Sequence, residues 1–191
     1  ALLHRVYGPE SVKDWRELWQ AGQFDPGPLD AYFVRWRHRF DLFDAQRPFY
    51  QTPDDRVQPK SVSILLPELA SGNNATLFSH TTDDMHIVLT PAQAARTLIA
   101  ALSFGSAGLS GLPQKFTDCT CTRGIIFLAE GATLLETLLL NLPAPSFLPQ
   151  FGDGSDAPAW EMENAYTPER EIPHGYLDYL TWQNRRILFL P

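Results

Sequence analysis

The chain has 191 residues, 44% of them hydrophobic and 19% charged, enough for one domain with a real core and too apolar for a disordered tail. Its formal net charge is −7, so it does not coat nucleic acid by bulk charge. Either nucleic acid is not its partner, or the contacts are few, local and made within a larger assembly.

No run of about 18 apolar residues is present, which speaks against a membrane-spanning helix. The opening "ALLHRVYGPES" has neither the basic start nor the long apolar run of a secretory signal. It reads as the tail of a helix already under way, so the chain is expected to be a piece of something longer. Cys119 and Cys121 stand one residue apart, a spacing that rarely bridges without strain, and a reducing, cytoplasmic compartment is expected.

In chain order, "GPESVKDWRELWQAG" predicts a helix capped by Ser11 and ended by Gly22, with Val12, Trp15, Leu18 and Trp19 at helical spacing. "DPGPLDAYFVRWRHRFDLF" predicts the next, with Leu29, Phe33, Trp36 and Phe40 along one side. Arg35, Arg37 and Arg39 interleave with them, as a solvated or ion-paired face or as a partner-binding one. "DAQRPFYQTPDDRVQPK" is a proline-punctuated loop, "SVSILLPELA" a short helical turn before Pro67, and "SGNNATLFSHTTDDMHIVL" a long polar loop or loose hairpin.

"TPAQAARTLIAALSFG" is the clearest helix. Thr90 caps it, Pro91 takes the first position, and Gly105 is placed to end it in the left-handed conformation. "RGIIFLAEG" reads as a buried strand, and "ATLLETLLLNLP" as a second apolar helix stopped by Pro143. A long loop rich in proline, glycine and acid leads to the strand-like, aromatic "YLDYLTWQNRRILFLP". Helices and short strands mixed without a βαβ rhythm predict an α+β fold.

Two constellations are candidates for chemistry. In "ALSFGSAGLSGLPQKF" Gly105, Gly108 and Gly111 recur at every third position. A nucleotide-binding glycine loop follows a strand and opens a helix, whereas here the helix comes first, so neither a Walker loop nor a dinucleotide fingerprint fits. What remains is a backbone with few Cβ atoms, able to lie against a crowded surface or simply to connect two elements. The second constellation is His80, Asp83, Asp84 and His86 in "SHTTDDMH". Its imidazoles and carboxylates suit zinc or a non-haem metal and would make the chain a metal-dependent hydrolase, but no HExxH helix or second ligand pair accompanies them. No nucleophile signature surrounds Ser79-His80 or Cys121. The residues by themselves commit to no active site and need no cofactor.

Five stretches in order resemble one family. They are "DLFDAQRPFYQ", "LLPELASGNNATLFSHTTDD", "LTPAQAARTLIAALSFGSAGLSG", "RGIIFLAEGATLLETLLLNL", and "PAWE" followed by "GYLDYLTWQNRRILFLP". The family is CasA, the large subunit of the type I-E CRISPR surveillance complex, Cascade. The resemblance implies a non-catalytic role among the other Cascade subunits. The family's members test duplex DNA for a short motif beside the target, contact the CRISPR RNA end and help recruit a helicase-nuclease, while base pairing reads the long sequence.

It implies that Phe104, Gly105, Ser106, Ala107, Gly108 and Leu109 form the loop that meets the minor groove, where small side chains give tolerant reading. Lys115 and Arg123 would then contact phosphates, which position without specifying. It implies that Asn73, Asn74 and Phe78 lie on a second loop near the guide RNA end. It also implies that residues 1–191 are a single domain, a fragment of the family's N-terminal domain without its C-terminal four-helix bundle.

Overall fold

Capping chemistry fixes the helices, and long-range hydrogen bonds assemble them. The computed structural model describes residues 1–190 except 54, 56, 57, 70–76, 79, 81, 83, 84, 106–118, 123, 149–154, 164 and 167–169. The described residues form α1 (Leu2–Tyr7), α2 (Val12–Ala21), α3 (Pro26–Trp36), α4 (Pro91–Phe104), α5 (Leu134–Leu140) and α6 (Tyr176–Leu180), joined by short 3-10 turns.

The caps lie where the sequence predicts them. Ser11 Oγ accepts from Asp14 N–H at 3.2 Å while the Asp14 carboxylate accepts from Ser11 N–H at 2.9 Å, a reciprocal arrangement that satisfies two helix-end donors. Gly22 closes α2 at φ 65°. Thr90 and Gln93 form the same box at the start of α4, with Pro91 in the first turn. Val62–Leu65 is the short helical turn expected before Pro67.

The core gathers on α4. Ala94, Leu98 and Leu102 recur every fourth residue and are buried, with Leu42, Tyr50 and Ala159 closing around them. Apolar side chains at this spacing share one helix face, which is why an alanine-rich sequence packs so closely here. α2 docks on α5: Trp15 and Trp19 stack at 5.3 Å, and Trp15 Nε1–H donates to the Leu139 carbonyl at 2.9 Å.

Glu161, in the "PAWE" turn, ties three distant segments together. It takes two bonds of 2.8 Å from Arg5 and one of 2.7 Å from the Tyr32 hydroxyl. Trp160 Nε1–H donates to the same hydroxyl at 2.7 Å. Arg39 donates to the Trp160 and Met162 carbonyls at 2.6 and 2.7 Å, so one arginine of the α3 series braces the fold. Arg35 lies 5.3 Å from the Trp36 ring centroid, and Arg37 is exposed.

Of the expected α+β class only the helical part is found: the described residues form helices joined by loops, with no strand among them. The segment read as a buried strand accounts for much of the difference. Ile125 is 84%, Phe127 88% and Leu128 69% exposed. An apolar run reports a preference for burial, but a strand also needs a neighbour for its ladder, and the described residues supply none. The C-terminal "RILFL" forms neither helix nor ladder. It bonds the 51–52 region at two points, Thr52 N–H to the Ile187 carbonyl at 3.0 Å and Phe189 N–H to Gln51 Oε1 at 2.7 Å.

α1 carries a pH-sensitive contact. His4 Nε2–H donates to the Pro143 carbonyl at 3.1 Å, and its ring packs edge-on against Tyr176 at 5.1 Å. Burial is the main reason its pKa lies below the ordinary histidine value; the Pro143 bond opposes the shift. In the folded state His4 therefore binds protons less readily than in the unfolded chain. Its contribution is present above the ordinary histidine pKa and falls as pH drops through that value toward the lowered one. Urea unfolding from pH 7.5 to 5 should show stability falling with pH, and a His4→Asn variant should flatten that fall. An unchanged slope in the variant would assign the dependence to another group.

Candidate nucleic-acid interface

α4 delivers its last turn to the surface. Phe104 is 64% exposed at the helix end. Gly105 follows, but not in the left-handed conformation expected from the sequence: at φ −65° and ψ 128° it is extended. The reason for glycine here is space. A Cβ would lie 2.5 Å from the Ala101 carbonyl oxygen and 2.6 Å from Arg185 Nη1, closer than real side chains come.

The Gly105 carbonyl is a junction. It accepts from Cys119 N–H at 3.1 Å and from Arg185 Nη2 at 3.2 Å, with the Thr122 hydroxyl 3.4 Å away. The buried Cys119 thiol lies 3.1 Å from the Ala101 carbonyl oxygen and 3.2 Å from Asn184 Oδ1. Thr120 Oγ1 donates to the Tyr179 carbonyl at 3.2 Å, joining this base to the end of α6. The two ends of the glycine-spaced segment are thus brought together and anchored.

Of the residues expected to touch nucleic acid, Phe104 and Gly105 belong to this base. Ser106, Ala107, Gly108, Leu109 and Lys115 lie outside the described residues, as does Arg123. So do Asn73 and Asn74 of the second loop. Phe78 is described: it is 88% exposed at φ 64°, a conformation uncommon for a bulky side chain. Leu77 beside it is 86% exposed.

Of the proposed metal ligands, His80 and His86 are exposed, and Asp83 and Asp84 lie outside the described residues. Among the described residues no group of three or more metal-ligating side chains comes together. Burial first, then the neighbouring Cys119, pushes the Cys121 thiol above its ordinary range, so it stays protonated at neutral pH.

Sequence reading missed Arg185, Cys119 and Thr122 as parts of one junction. The available signal was the Arg185-Arg186 pair, standing in a C-terminal third otherwise dominated by acid.

The family model for CRISPR-associated protein Cse1 matches residues 1–191. The chain belongs to the Cse1 (CasA) family. A CasA/Cse1 protein of Thermus thermophilus is 43% identical over 170 residues, which is 85% of this chain and 32% of that protein. The crystal structure of Thermobifida fusca Cse1 superposes with a TM-score of 0.74 at 30% identity, covering 97% of this chain and 38% of the other. A chain of a CRISPR RNA-guided surveillance complex, in a pre-nicking state, superposes with a TM-score of 0.66 at 26% identity, covering 87% of this chain and 36% of that one. The chain spans about a third of the length of the chains it matches. Among the described residues no helix is long and apolar enough to cross a membrane.

Proposed function

We propose that this chain is part of a non-catalytic subunit of a cytoplasmic, RNA-guided surveillance complex. In that complex it tests duplex DNA for a short motif beside the target. The reading is carried by the family match along residues 1–191. Residues 104–109 meet the minor groove, Lys115 and Arg123 contact phosphates, and Asn73, Asn74 and Phe78 lie near the guide RNA end. The partners are the other subunits of the complex, CRISPR RNA, target duplex and a helicase-nuclease that the full subunit helps recruit. Residues 1–191 act as one domain within that subunit.

The charge distribution supports this division. Part of the acid of the C-terminal third is engaged inside the fold: Glu161 holds Arg5, Asp178 holds Arg170, and Asp156 accepts the first free amides of α6 at 3.0 Å. An acidic chain can then serve a polyanion, because a few local contacts suffice where other subunits hold the duplex.

The test uses the full-length protein assembled in its complex. Placing a carboxylate in the segment, as Gly108→Asp, should weaken capture of motif-bearing duplex by at least about tenfold at fixed salt. Capture of motif-scrambled duplex should change far less. Equal capture by variant and parent would remove this segment from the DNA interface.

A further inference from the structure

The strap of residues 183–189 reaches two places that the sequence presents as unrelated. At one end Ile187 and Phe189 bond Thr52 and Gln51, where the long connection toward Phe78 begins. At the other, Asn184 and Arg185 cross to the end of α4. Arg185 Nη2 donates to the Gly105 carbonyl at 3.2 Å, and Arg185 Nε lies 3.4 Å from Asn184 Oδ1. The same Asn184 oxygen faces the Cys119 thiol at 3.2 Å.

The Gly105 carbonyl has two lone pairs, and the Cys119 amide and the Arg185 guanidinium occupy them. One comes from the far end of the 106–118 segment and the other from the strap. The glycine fits this arrangement because a Cβ at position 105 would meet the Arg185 guanidinium carbon at 2.8 Å.

We infer that Arg185 is a positioning residue: through the Gly105 carbonyl it fixes where the glycine-spaced segment leaves α4 and returns at Cys119. It does so from a strap that is also fastened at residues 51 and 52. The inference rests on the reading that residues 104–109 and Lys115 meet the duplex. Arg185 acts there without touching phosphate itself. A planar guanidinium can hold Gly105 with one nitrogen while another faces Asn184, which an ammonium cannot do in the same geometry.

The experiment is motif discrimination by the assembled complex: capture of motif-bearing against motif-scrambled duplex, measured at several salt concentrations with full-length variants. Arg185→Ala should reduce the preference for the motif about fivefold, the effect of losing one ordinary hydrogen bond. Arg185→Lys should recover part of it. The dependence of affinity on salt should keep its slope in both, since no phosphate contact is lost. A slope reduced by about one unit would make Arg185 a direct phosphate ligand and overturn the positioning role. Unchanged discrimination in Arg185→Ala, with discrimination lost in Gly108→Asp, would overturn the role of Arg185 and leave the proposed interface standing. Unchanged discrimination in both would overturn the two together. Thermal melting of each variant, coincident with the parent, shows that the comparison reads placement of the segment and not global unfolding.

Discussion

Replacing Glu161 by alanine should lower the stability of the fold by about 2–3 kcal/mol, between the cost of losing an exposed ion pair and that of breaking a fully buried one. The Glu161 side chain is 4% exposed and its Arg5 partner 39%, so most of the carboxylate's surroundings are protein. Its loss strands the Arg5 guanidinium beside the Tyr32 hydroxyl, and both then lack the acceptor around which they were arranged. Tyr32→Phe removes one bond of 2.7 Å to the carboxylate and also the acceptor for Trp160 Nε1–H, so it should cost about 1–2 kcal/mol. Glu161→Gln keeps the shape and should fall between. Urea unfolding of the three variants gives the order directly. A loss under about 1 kcal/mol for Glu161→Ala would show that α1 and α3 hold their places by apolar packing alone, with Glu161 contributing no more than an exposed pair.

Leu98→Ala should cost about 3–4 kcal/mol, because the transfer term of the lost methyl groups is joined by the cavity they leave. Leu98 is 0% exposed, one turn from the equally enclosed Leu102, and the wall opposite is built from Leu42, Tyr50 and Ala159. Those residues come from segments far apart in sequence, so collapse around the hole requires several elements to move at once. Leu98→Met, which nearly conserves volume, should cost under about 1.5 kcal/mol. The check is urea unfolding with the slope against denaturant unchanged, so that the shifted midpoint reports native stability and not a changed unfolded state. A Leu98→Ala cost within about 1 kcal/mol would place the centre of the core elsewhere than on α4.

What the sequence discloses here is local. Ser11 with Asp14, Thr90 with Gln93 and Pro91, and Gly22 each mark a helix end by chemistry complete within four residues, so the ends can be read without knowledge of the fold. The Ala94, Leu98, Leu102 stripe is visible for the same reason. Ile125–Leu128 shows the limit. Its composition states what those side chains favour, but their exposure depends on whether another segment lies beside them, and no local pattern carries that. Gly105 shows it again. A glycine after a helix suggests a left-handed cap, yet this one is extended, and a Cβ there would lie 2.5 Å from the Ala101 carbonyl oxygen and 2.6 Å from a guanidinium nitrogen 80 residues away. At the candidate interface the sequence pointed to the glycine-spaced segment and left out its anchor, because Arg185 acts through a backbone carbonyl that any residue possesses.

The contacts that complete this fold have a consequence for the order in which it is made. Arg5 waits for Glu161, 156 residues later, Gln51 for Phe189, 138 later, and Gly105 for Arg185. During synthesis α1 to α4 leave the ribosome before any of these partners exists, and local helices can form then while their junctions cannot. The base of the glycine-spaced segment is therefore among the last parts to set. A ribosome stalled anywhere short of residue 185 holds a chain whose helices are present but in which the junction at the end of α4 has not yet been closed.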